Sequence, residues 1–94
     1  MIDTLEVRHL DEHKTVYREL SIFKIKLGSA NDSMEVNKLA NAYGGKIHDV
    51  RKDSMMVELT ATPDQIRAFE ELVKPFGIID VARTGVAALQ RSGT

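Results

Sequence analysis

The sequence predicts an α+β domain: four antiparallel strands in one sheet, two helices on one face, in the order β-α-β-β-α-β. Three observations predict it. The stretch RELSIFKIKL alternates apolar and charged residues with a period of two. Two later segments carry apolar stripes at helical spacing, each between strand-like runs. Short connections and right-handed crossovers then leave the ferredoxin-like arrangement as the favoured topology.

Each element has its own signal. Residues 18–27 form the first strand, with Phe23, Ile25 and Leu27 on one face, Lys24 and Lys26 on the other, and Gly28 at its end. GSANDS comes next and offers four N-cap candidates, Ser29, Asn31, Asp32 and Ser33. The helix it opens runs to about Tyr43, with Val36, Leu39, Ala40 and Tyr43 as its stripe. Gly44-Gly45 supplies the left-handed stop. KIHDVR (46–51) and SMMVELTA (54–61) form a hairpin across Lys52-Asp53. Met55, Val57 and Leu59 point one way; Met56, Glu58 and Thr60 point the other. TPDQ is the clearest local signal: Thr62 caps, Pro63 takes the first helical position and Gln65 closes a capping box. The stripe of this second helix is Ile66, Phe69, Leu72 and Val73, and Pro75 ends it. Gly77 turns into a fourth strand, IIDVAR, which Thr84-Gly85 is expected to stop.

Residues 1–17 read differently. Ile2, Leu5 and Val7 fit a short strand, and HLDEHKT reads as a linker. The expected organisation is therefore 1–17 strand and linker, 18–91 the folded domain, and 92–94 a tail.

Composition excludes several classes. Thirteen basic and 14 acidic side chains give a net charge of −1, so nothing draws this chain to nucleic acid or to anionic lipid. There is no cysteine, hence no disulfide framework, thiolate nucleophile or cysteine zinc site. MIDTLEVRHLDE lacks the apolar core of a signal peptide, and no run approaches membrane-spanning length.

No residue pattern points to catalysis. His9 and His13 would share a helical face, but they lie in a linker and two nitrogens do not close a metal site. His48 and Asp49 are strand neighbours, and alternation sends them to opposite faces. Ser33, Ser54 and Ser92 have no base to activate them. Gly44-Gly45 comes after a helix rather than opening one, so it is no phosphate loop. RNA binding would need aromatics on the central strands, and Phe23 points inward.

What remains is surface. With both helices on one side, the other sheet face shows Ile22, Lys24, Lys26, Met56, Glu58 and Thr60, a partly apolar face suited to a partner or a second copy. PFGIIDVARTGVAAL adds Phe76, Ile79, Val81, Val86 and Leu89 around Arg83, Thr84 and Gly85. An arginine among apolar residues suits a protein interface. The interface candidates are therefore Ile22, Met56, Phe76, Ile79, Val81, Arg83, Thr84, Gly85, Val86 and Leu89, with a homodimer expected.

The run PFGIIDVARTGVAALQR resembles the C-terminal signature of the small, regulatory subunit of acetolactate (acetohydroxyacid) synthase. KIHDVRKDSMMVELTATPDQIRAFEELVKPFGI is similar to that family's hairpin and helix, and IDTLEV to the last strand of the preceding ACT domain. The likeness spans about residues 1 to 91. It implies a cytoplasmic, non-catalytic domain of branched-chain amino acid biosynthesis that contacts a separate catalytic (large) subunit. Thiamine diphosphate, Mg and FAD are expected on that partner and no cofactor on this chain. The family's valine site lies in the ACT domain. Only the end of that domain is matched here, so no effector residue is carried over and no valine response is expected. The alternative is a free-standing small-molecule or metal-sensing module of the same fold.

Overall fold

A computed structural model describes residues 14–91. The predicted short strand around Ile2, Leu5 and Val7, the His9/His13 pair and the 92–94 tail lie outside the described residues. The elements are β1 (Thr15–Lys26), α1 (Ala30–Ala42), β2 (Lys46–Val50), β3 (Ser54–Ala61), α2 (Pro63–Val73), a 3-10 turn (Lys74–Phe76) and β4 (Ile78–Gln90). The strands form one antiparallel sheet in the order β2-β3-β1-β4. That is the predicted ferredoxin-like α+β topology.

The period-two pattern of β1 divides the sheet. Phe23, Ile25 and Leu27 turn to the helices and are buried, as are Met55, Val57, Leu59 and Ala61 from β3. Val36 and Ala40 of α1 and Ile66, Phe69 and Val73 of α2 close the core from above. Phe69 sits edge-on to Phe23 and to Tyr43, with centroids 5.3 and 5.7 Å apart, a favoured aromatic geometry. Leu72, expected in the α2 stripe, is exposed instead. Three residues advance a helix by about 300°, so Leu72 lies about 60° beyond Phe69 and past the edge of the buried stripe.

Both helix starts are capped as their sequences require. Ser29 accepts from Asp32 N while Asp32 Oδ2 accepts from Gly28 N at 2.7 Å. Thr62 and Gln65 form the reciprocal capping box, each contact 3.2 Å. Tyr43 is the C-cap of α1 and Gly44, at φ +69°, makes the left-handed exit. Arg51 N donates to Ser54 O at 2.8 Å, closing the hairpin turn over Lys52-Asp53.

Two expectations about strand length fail. β1 begins at Thr15, so Thr15–Tyr17 belong to the sheet and not to a linker. And Thr84-Gly85 does not stop β4, which runs on to Gln90. Glu19 pairs with Val86 but Ser21 with Arg83, so Leu20 faces two residues, Thr84 and Gly85. This is a β-bulge. Gly85 takes φ +88°, and Thr84 Oγ1 accepts from Leu20 N at 3.1 Å in place of a backbone carbonyl. The turn-like dipeptide is spent inside a strand, and beyond it β1 and β4 continue paired from Thr15↔Gln90 to Glu19↔Val86.

Among the described residues, no helix is long and apolar enough to cross a membrane.

Candidate functional site

The face of the sheet opposite the helices carries no covering element among the described residues. Its rungs are set by the strand register. Ile22 of β1 lies between Glu58 of β3 and Ala82 of β4; Lys24 lies between Met56 and Asp80. Ile22 and Met56 are half-buried by their neighbours, and Lys24 and Lys26 stand exposed. A shallow depression bounded by Ile22, Lys24, Met56, Asp80 and Ala82 marks the middle of this face. A wider one, with Lys26, Asp49, Arg51 and Ile79 on its rim, lies toward the β2–β3 turn.

Two pairs of charged side chains on this side engage each other. His48 Nε2 meets Glu58 Oε1 at 2.5 Å across the β2–β3 ladder. Arg51 Nε donates to Asp49 Oδ2 at 2.9 Å. That hydrogen bond, with the charge of Asp49 behind it, holds the Arg51 guanidinium above its ordinary pKa. Simple strand alternation would separate His48 from Asp49. It does not, because a bulge comes after Ile47: Ile47 pairs with Val57 but Asp49 with Met56. Both residues therefore belong to the open side, yet each has its own partner and they form no acid–base pair.

The ten interface candidates divide into groups. Ile22 and Met56 are on the open face. Phe76 and Val81 pack against the core from its margin. Ile79, Val86 and Leu89 are large exposed apolar side chains, Leu89 the most exposed at 78%. Thr84 and Gly85 form the bulge. Arg83 is held within its own chain, Nη2 lying 3.6 Å from Oε1 of the nearly buried Glu19. The composition of PFGIIDVARTGVAAL suggests one surface. Two bulges in the β1–β4 pairing, one at Thr84-Gly85 and one near Ile79, reset the alternation and scatter its residues.

One part of the surface, Leu89 apart, is absent from the sequence-based candidates. Val16, Arg18, Ala87, Ala88, Leu89 and Gln90 line an open hollow on the far end of the β1–β4 ribbon. The signal for it is weak: Thr15, Val16 and Tyr17 are strand-forming residue types, but Glu19 and Ser21 break the apolar alternation of FKIKL before it reaches them.

Among the described residues, no group of three or more His, Cys, Asp or Glu side chains converges as a metal site would require.

A split β-α-β-β-α-β sheet with one bare face and a long projecting ribbon defines the class: a ferredoxin-like domain with surface for association. Residues 18–92 match the family model described as small subunit of acetolactate synthase. The chain belongs to that family, and the match corresponds to its C-terminal domain. It is 41% identical over 91 residues to the acetolactate synthase small subunit of Aquifex aeolicus, which takes in 97% of this chain and 47% of that protein. It is 40% identical over 91 residues to a probable acetolactate synthase small subunit of Methanothermobacter thermautotrophicus, over 97% of this chain and 54% of that protein. A solved structure of acetolactate synthase small subunit from Thermotoga maritima superposes with a TM-score of 0.80 at 28% identity, over 88% of this chain and 50% of that one. The chain thus spans about half the length of the relatives it matches.

Proposed function

We propose that this chain is a non-catalytic regulatory module of acetolactate synthase, in branched-chain amino acid biosynthesis, acting by contact with a copy of itself and with the catalytic subunit. Family membership over residues 18–92 is the observation that carries the reading. The bare sheet face supports it: helices cover only one side, and a partly apolar surface of this kind gains by being covered. Thiamine diphosphate, Mg and FAD belong, on this reading, to the catalytic subunit, and a cytoplasmic location suits a partner of that enzyme. Valine sensing is assigned to the ACT domain that precedes this one in the family. Residues 18–91 then supply contact rather than the switch, since allostery needs an effector that favours one of two states.

The test is to add this chain to isolated catalytic subunit and to read rate and valine sensitivity separately. Partial activation, saturating with added chain and bringing no new valine response, is expected. No co-sedimentation and no rate change at excess chain would defeat the contact reading. A full valine response would defeat the assignment of sensing to the other domain.

A further inference from the structure

Among the described residues the sheet has two edges, and they are built differently. β2 is five residues long, bulged after Ile47, and carries Lys46, His48 and Asp49. These are the devices that keep a strand edge from pairing. β4 is 13 residues long and forms the other edge.

The hydrogen-bond phase of β4 can be traced along its length. Arg91 N donates to Lys14 O at 2.6 Å, so Arg91 directs its backbone groups inward to β1. Alternation in an antiparallel ladder then turns Leu89 and Ala87 inward and Gln90, Ala88 and Val86 outward. Below the bulge the phase shifts by one residue, so Ala82 and Asp80 turn inward and Val81 outward, and there its N–H is already occupied: Asp80 Oδ1 accepts it at 2.9 Å. The lower half of the edge is thus blunted by Asp80 and flanked by charged Arg83. The upper half, VAALQ, carries no charge and no proline, and its large side chains Val86 and Leu89 are exposed.

Extending the self-association proposed for this chain, we infer that two copies join through Val86–Gln90, the β4 strands pairing antiparallel about a two-fold axis at Ala88 to make one continuous eight-stranded sheet. The segment is its own complement. Ala88 meets Ala88 of the second copy, and Val86 meets Gln90, so the three residues with outward backbone groups face their equivalents in phase. No like charges oppose each other, because Arg91 falls opposite Gly85. A contact of this kind covers less than the roughly 1,600 Å² of a standard interface, so the dimer is expected to be reversible and to dissociate in the micromolar range.

Sedimentation equilibrium on the unaltered chain comes first. A monomer at every concentration up to high micromolar defeats self-association and this inference with it. Given a dimer, Ala88→Pro removes an N–H that bonds nothing among the described residues, so the fold is kept. The expected result is a monomer with unchanged far-UV circular dichroism. A dimer that survives Ala88→Pro but is broken by Ile22→Lys or Met56→Lys overturns the edge assignment alone and leaves self-association standing. A second pair of variants tests the register. The chain has no cysteine, so Ala88→Cys introduces a single thiol. Hydrogen-bonded partners lie about 5.5 Å apart at Cα, within disulfide reach. Val86→Cys would place its thiols four residues out of register, more than about 13 Å apart. Oxidation should therefore link the Ala88→Cys chains and not the Val86→Cys chains. An unlinked Ala88→Cys dimer, or equal linking of both, overturns the inference.

Discussion

Gly85→Ala is the most informative single change for the unexpected course of β4. Gly85 holds φ +88° inside a strand, where Leu20 faces both it and Thr84. A Cβ built there meets no atom within 4 Å, so crowding contributes nothing. What remains is the conformational cost of an L-residue at positive φ, about 1–2 kcal/mol. A small domain has about 0.05–0.15 kcal/mol of stability per residue, so the loss is a sizeable part of the whole. One kcal/mol lowers Tm by about 4–8 °C in a domain of this size, so a fall of roughly 4–16 °C is expected. The assay is thermal unfolding by far-UV circular dichroism at low micromolar concentration, where association does not contribute to the midpoint. Gly85→Asn, which tolerates the left-handed region better, should fall between the two. An alanine variant as stable as the parent would show that the bulge does not impose positive φ, and the account of β4 would fail.

Three further changes probe the frame that holds this surface. Thr62→Ala removes the capping box of α2 and should lower stability by about 1 kcal/mol in urea unfolding, with the m-value unchanged. Phe69→Ala empties the centre of the core and takes away two edge-on ring contacts; a loss of about 3–5 kcal/mol should leave the variant close to unfolded at 25 °C, as seen by near-UV circular dichroism. Ser21 Oγ is fully buried without a hydrogen-bond partner among the described residues, so Ser21→Ala should stabilise by about 1 kcal/mol, and a destabilised variant would reveal a partner for that hydroxyl.

The parts of the fold that are legible in sequence are those set by local chemistry. Lys24 and Lys26 between Phe23, Ile25 and Leu27 define a half-buried strand wherever they occur. Thr62, Pro63 and Gln65 satisfy the free N–H groups of a helix start with no help from elsewhere. Thr84-Gly85 is a different case. The same dipeptide serves a turn or a bulge, and the choice rests on whether β1 extends far enough to pair with Val86–Gln90. Thr15–Tyr17 decide that, and the charged run HLDEHKT beside them disguises their strand character. The surface is harder to read than the core for a related reason. Each bulge shifts alternation by one residue, so Val81 leans on the core while Ile79, Val86 and Leu89 stand in solvent. His48 and Asp49 repeat the lesson on β2. Arg83 has the composition of an interface anchor, but only the fold brings it to Glu19, far earlier in the chain.

The brevity of β2 has a consequence for how far assembly could go. Polymers grow when every added unit exposes a fresh sticky end. Joining two β4 borders would leave a five-residue, kinked and charged rim at either extremity of the pair. Such a body has no pairing edge left for a third member, so the sheet itself would close at two rather than lengthen into a fibril.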